Sequence, residues 1–124
     1  MTELMTLTDI LNVSDSKFED VDMKPFGWPG SIRIQSITGE AKDAYELWIY
    51  EENEDGDFKL ARENMRAKLI AACAINEDGS RLFKTEEHIK ILGRKNARAL
   101  DHLYEACNKL NAMTEADVEE LKGN

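Results

Sequence analysis

Histidine is nearly missing from this chain: His88 and His102 are the only two in 124 residues. Neither stands where chemistry would need it. His102 follows Asp101 directly, and adjacent residues on a helix point in different directions. It also falls off the apolar stripe of its helix, which predicts a surface residue. His88 falls in the first turn of a short helix, where a partly exposed structural place is expected. Cysteine is equally scarce. Cys73 and Cys107 lie far apart, each inside an apolar helical run, with no Cys-x-x-Cys or Cys/His ligand spacing. They are expected to be reduced and buried as small hydrophobes. A disulfide between them is open to the sequence, but nothing favours one, and no local signature pairs either with a histidine as nucleophile and base.

Other absences narrow the field. No stretch approaches the roughly 20 apolar residues that a membrane span needs. Met1 to Val13 has neither a basic n-region nor a long apolar core, so it does not read as a signal peptide. The expectation is a cytosolic protein that meets no membrane. Gly27 and Gly30 flank Trp28-Pro29 and lack the Lys-Ser/Thr of a phosphate-cradling loop. The acidic stretches fail as calcium loops. With Gly56 at the sixth position the twelfth is Arg62, and with Gly79 there the twelfth is Thr85, where a bidentate Glu is required. Positive charge is outnumbered, 16 Lys and Arg against 25 Asp and Glu, for a net charge of −9. Such a surface repels phosphate, which disfavours nucleic acid and suits a basic or amphipathic partner. No catalytic residue, cofactor or metal site is therefore expected.

What the chain does have is enough apolar material to fold. Hydrophobic residues make up 42%, too many for a disordered chain even with 33% charged. The length predicts one domain over residues 1–124, with 1–16 either a short helix or a mobile arm. Leu7, Ile10 and Leu11 would share one face of that helix. Phe18, Val21 and Met23 are interleaved with acids, Pro25-Phe26-Gly27-Trp28-Pro29-Gly30 is a dense turn signal, and Ser31 to Ile37 alternates with period two. These predict a β-hairpin that leans on helices or pairs with another copy, because an isolated hairpin is marginal in water.

Helices are predicted next. Thr38 caps one that carries Ala44, Tyr45, Leu47, Trp48 and Ile49 and ends in the acidic loop 51–57. A second runs from Phe58 to Ala74 and turns apolar on every face from Leu69 onward, the mark of a core segment. Asn76-Glu77-Asp78-Gly79 is a tight turn, and Arg81-Leu82-Phe83 leaves it extended. Thr85 caps a short helix bearing Ile89, Ile91 and Leu92 that stops at Gly93. A long helix over Lys95 to Asn111 aligns Ala99, Leu100, Leu103, Cys107 and Leu110, and Thr114 caps a last turn over Val118 to Lys122. The fold class is mainly α with a small β-hairpin near the N-terminus (α+β), a compact helical bundle.

Among these features the aromatic pair Phe26 and Trp28 stands out. Both lie in a Pro/Gly loop, where they either anchor a partner or cap the core beneath the hairpin. Ile32 and Ile34 on the hairpin, and Tyr45 and Trp48 on the first main helix, complete the candidate protein interface. Arg62, Arg66 and Lys59 on one helix face, and Arg94, Lys95 and Arg98 at the start of the long helix, read as solvated charge balancing nearby acids.

The order Ile32-Arg33-Ile34, Ile37-Thr38-Gly39-Glu40, an acidic loop, Asn64 to Ala71, then Asn76-Glu77-Asp78-Gly79-Ser80-Arg81-Leu82-Phe83 resembles the tail assembly chaperones of long-tailed bacteriophages and their prophage relatives. Ala99 to Cys107, Leu110 to Glu115 and Val118 to Leu121 look like the closing helices of that family, with Ala112-Met113 departing from the small residue or Gly common after Leu-Asn. The likeness covers the chain from about residue 18 onward. It implies a small, acidic, largely helical protein of the host bacterial cytoplasm that is not an enzyme. Such a protein binds the long, helical, aggregation-prone tape measure protein, keeps it soluble and helps recruit tail tube subunits. It also implies self-association. The competing expectation is a prophage or mobile-element adaptor or regulatory domain that binds some other protein.

Overall fold

The computed structural model describes residues 3–52, 58–60 and 64–112. Among them it is mainly helical, with a small antiparallel sheet near the N-terminus, the α+β class expected. Strand β1 (Phe18–Asp22) pairs with β2 (Ser31–Gln35) in the register Val21 opposite Ile32 and Asp20 opposite Arg33. Side chains alternate across a strand. Val21 and Ile34 are therefore buried on one face, while Asp20 and Arg33 meet on the other. There Arg33 donates to both carboxylate oxygens of Asp20, at 2.7 and 3.0 Å, and its guanidinium lies 4.7 Å over the Phe18 ring.

That ion pair has a consequence in acid. The Arg33 hydrogen bond holds the Asp20 carboxyl below its ordinary value of 3.8. A carboxyl whose folded value is depressed favours the folded state above its unfolded value and loses that favour as pH falls through the folded one. Asp20→Asn is thus expected to flatten the stability–pH curve below about pH 4 relative to the parent. Thermal melts in a pH series check this; parallel acid limbs in parent and variant would contradict it.

The loop between β1 and β2 is a single 3-10 turn, Lys24–Phe26, held by its own backbone. The Met23 carbonyl accepts from the Phe26 and Trp28 amides at 3.1 and 3.2 Å, and the Met23 amide donates to the Gly30 carbonyl at 3.0 Å. Gly27 takes φ 84°, which a side chain would strain. The hairpin leans on the helices as one expectation had it, but it is not two-stranded. A third strand, β5 (Ala74–Ile75), pairs with β2, so the apolar run that begins at Leu69 leaves the helix at Ala74.

The short helix expected in residues 1–16 forms as α1 (Leu7–Leu11), with Thr6 as its N-cap closing a capping box with Asp9. The helix predicted from Phe58 begins only at Met65. Phe58–Leu60 is strand β4, paired antiparallel with β3 (Tyr50–Glu52), so Glu51 and Glu52 belong to a strand rather than a loop. The alternation of Phe58, Lys59 and Leu60 fits a strand as well as a helix, and the pairing partner was hidden among acids. The shared basic helix face fails with it. Lys59 is in β4, Arg62 lies outside the described residues, and Arg66 pairs with Asp101.

The remaining helices follow their signals. Helix α2 (Gly39–Ile49) is capped by Thr38, whose hydroxyl accepts from the Ala41 amide at 3.0 Å. Helix α3 is Met65–Cys73, and α4 (Glu86–Gly93) is capped by Thr85 through the His88 amide at 3.1 Å. Helix α5 (Ala97–Ala112) is capped by Asn96, which accepts from the Arg98 and Ala99 amides. Residues 76–79 form the expected turn with Gly79 at φ 88°, and Asp78 accepts from the Ser80 amide and hydroxyl at 2.9 and 2.6 Å. The last turn predicted over Val118 to Lys122 lies outside the described residues. Beneath the sheet Met23, Ile34, Ile70 and Leu103 are fully buried, with Cys73 of α3 and Cys107 of α5 among them.

Candidate interaction surface

The two thiols are buried, free and in contact, as α3 packs on α5. Cys73 Sγ accepts from the side-chain Nδ2 of Asn111 at 3.4 Å. The Cys73 thiol beside it, together with burial, pushes the Cys107 thiol up. A neutral thiol out of reach of solvent is not a nucleophile. His88 accepts the Lys84 amide at Nδ1, at 3.3 Å, and His102 lies against Phe26 with ring centroids 5.0 Å apart. Among the described residues, no three His, Cys, Asp or Glu side chains converge in a way that could hold a metal ion. None of the helices there is long and apolar enough to cross a membrane.

Among the described residues, two apolar grooves mark the surface. The first, of about 540 Å³, runs between α2 and the β2–α3–α4 body. Tyr45 and Trp48 form its wall and Ile37, Cys73, Ile75 and Ile89 its depth, while Ser16, Arg81, Lys84 and Glu86 stand at its lip. Burial pushes the Tyr45 phenol up, so it remains a neutral hydroxyl. Trp48 carries Lys68 Nζ 5.7 Å from its ring centroid, a cation–π contact. The second groove, of about 580 Å³, lies between the hairpin turn and α4. Trp28 and Pro29 face Leu82, Phe83, Ile91 and Leu92 across it, with His88 and Lys95 at the edge.

The six candidate interface residues are thereby dispersed. Tyr45 and Trp48 share the first groove and Trp28 enters the second. Phe26 is half-buried under the turn against His102. Ile32 is half-buried beside Val21 on the core face of the sheet. Ile34 needs correction: it is fully buried, because residue 34 shares the core face with residue 32 and sits at the centre of the three-stranded sheet, so it offers nothing to a partner.

Sequence reading missed Leu82, Phe83 and Ile91. A signal existed for Ile91. Ile89 and Leu92 are three apart and buried together, which leaves Ile91 on another side of the same helix and 43% exposed. Comparison with protein-family models, with curated proteins and with solved structures gives no match for this chain.

Proposed function

We propose that this protein is a non-catalytic holder of another polypeptide and, on the resemblance of its ordered motifs, a phage or prophage tail assembly chaperone. In that role it binds the tape measure protein in the bacterial cytoplasm, keeps it soluble and helps recruit tail tube subunits. The observation that supports this reading best is the second groove. An indole stands half-buried at the brim of an open trough whose opposite wall is Leu82, Phe83 and the outward Ile91. A helix with an apolar stripe buries that stripe in such a trough, reading it at three-and-four spacing. The net charge of −9 keeps the unloaded protein soluble and favours a partner with basic flanks.

The test is co-expression with the tape measure protein, whose very long gene is expected beside that of this chain, followed by pull-down and titration of a soluble helical fragment. Trp28→Ala removes the aromatic anchor at the brim of this groove. It is expected to weaken binding by about 30-fold, the effect of losing roughly 2 kcal/mol at a hot spot. Its melting temperature should stay close to that of the parent, since Trp28 is only half-buried. Unchanged affinity in a folded Trp28→Ala variant would remove the second groove from the reading. Absence of any association with the tape measure protein would remove the reading itself.

A further inference from the structure

We infer that the first groove is filled by the N-terminal arm of a second copy of this chain, so that two copies exchange arms in a symmetric dimer. Residues Leu4 to Val13 form an arm whose apolar side chains, Leu7, Ile10 and Leu11 among them, all face solvent, with Leu4 96% exposed. The arm is already shaped. Thr6 donates its amide to Asp9 Oδ2 at 2.9 Å, and the Asp9 amide returns to Thr6 Oγ1 at 3.2 Å. A five-residue helix is too short to hold itself in water, and helices of this kind take their stability from packing one face.

The groove and the arm meet at one point. Ser16 is at the groove's lip, and the next residue is fixed there. The Lys17 amide donates to Ser36 Oγ at 2.9 Å, and the Lys17 carbonyl accepts the Ser36 amide at 2.8 Å. The arm thus pivots at the edge of the groove without entering it. Between the end of α1 and Lys17 the extended chain can span about 17 Å, enough to cross to a neighbour whose own pivot faces it. Charge agrees with the match. Residues 3–16 carry Glu3, Asp9 and Asp15 and no Lys or Arg, whereas the lip presents Arg81 and Lys84 against Glu86. Among the described residues of one copy, nothing packs on the arm and the groove stands open. Reciprocal exchange satisfies both in two identical contacts, the isologous arrangement that closes at two subunits. The inference does not rest on the partner proposed above, since Trp28 and the second groove play no part in it.

Sedimentation of the full chain over a concentration series tests this. The parent should form a dimer. Leu7→Glu with Leu11→Glu, which alters only solvent-facing positions, should sediment as a monomer, and so should Ala44→Arg, which blocks the groove from an exposed site. Mixing the two variants should restore a heterodimer, because one competent arm then meets one competent groove. A chain lacking residues 3–13 should behave like the Leu7/Leu11 variant, and Trp28→Ala should dimerise as the parent does. A monomeric parent at every concentration, dimers that persist in the arm and groove variants, or monomeric variants that fail to pair on mixing would each overturn the inference.

Discussion

Ile34→Ala is expected to lower stability by about 2–5 kcal/mol, the range for truncating a fully buried aliphatic side chain in a core that cannot collapse around the gap. Ile34 has no exposed surface, lies on the central strand of the three-stranded sheet and pairs with Ala74 of β5. A domain of this size has about 5–15 kcal/mol in hand, so the loss is large, and the melting temperature should fall by on the order of 10 °C. Urea titration measures the free energy and a thermal melt the temperature. Partner affinity, measured below the new transition, should be unchanged. The opposite pattern, little loss of stability with weakened binding, would mean that residue 34 faces outward. A one-residue slip of β2 against β1 would do that, because it turns every side chain of the strand over.

Ile34 also marks the limit of what sequence could tell. The alternation Ser31 to Ile37 identified a strand and even its two faces, but not which neighbours would cover the apolar one. That face is covered by α3 and α5, and β2 becomes the central strand only through β5, two residues inside a run that reads as continuous helix. Local signals were legible wherever a single side chain dictates the backbone: Thr38 and Thr85 as caps, Gly79 at positive φ, Gly93 at the end of α4. The stripe Ala99, Leu100, Leu103 and Cys107 was legible because four aligned positions leave no other face to bury. Short strands were not. β4 and β5 have three and two residues, and a period cannot be read from so few.

The grooves were legible only in part for a related reason. Tyr45, Trp48 and Trp28 drew attention by size, yet the surface facing each of them comes from segments distant in sequence. Leu82 and Phe83 looked like the exit of a turn. They become the far wall of a trough because the Leu82 amide bonds the Ala74 carbonyl at 3.1 Å and bends the chain back beside β5. Phe26, read as anchor or cap, is held by the turn that fixes Trp28, but its ring goes to α5. Two aromatic residues two positions apart thus take different surroundings, which spacing in a loop cannot predict.

Asn111→Ala is the second substitution expected to have a large effect, and nothing in the sequence singled it out. Its carboxamide joins three elements. Oδ1 accepts the Ile37 amide at 2.7 Å, just past the end of β2. Nδ2 donates to the Cys107 carbonyl at 2.8 Å within α5 and to Cys73 Sγ of α3 at 3.4 Å. Alanine leaves the Ile37 amide without a partner in a half-buried place. The expected loss is about 1–3 kcal/mol, the cost of stranding such a group rather than the smaller net value of one exchanged hydrogen bond. Asn111→Asp separates the two halves of the clamp. The carboxylate still accepts from Ile37, but when ionised it cannot donate and sets a negative charge against the Cys107 carbonyl and the Cys73 sulfur. Protonated, it can donate again. Its folded value is therefore raised, its stability should approach that of the parent below about pH 4, and the deficit should open as pH rises through the unfolded value. Urea titrations of the three proteins at low and neutral pH measure this. An Asn111→Asp variant equally stable relative to the parent at both pH values would show that the carboxamide does not bridge β2, α3 and α5.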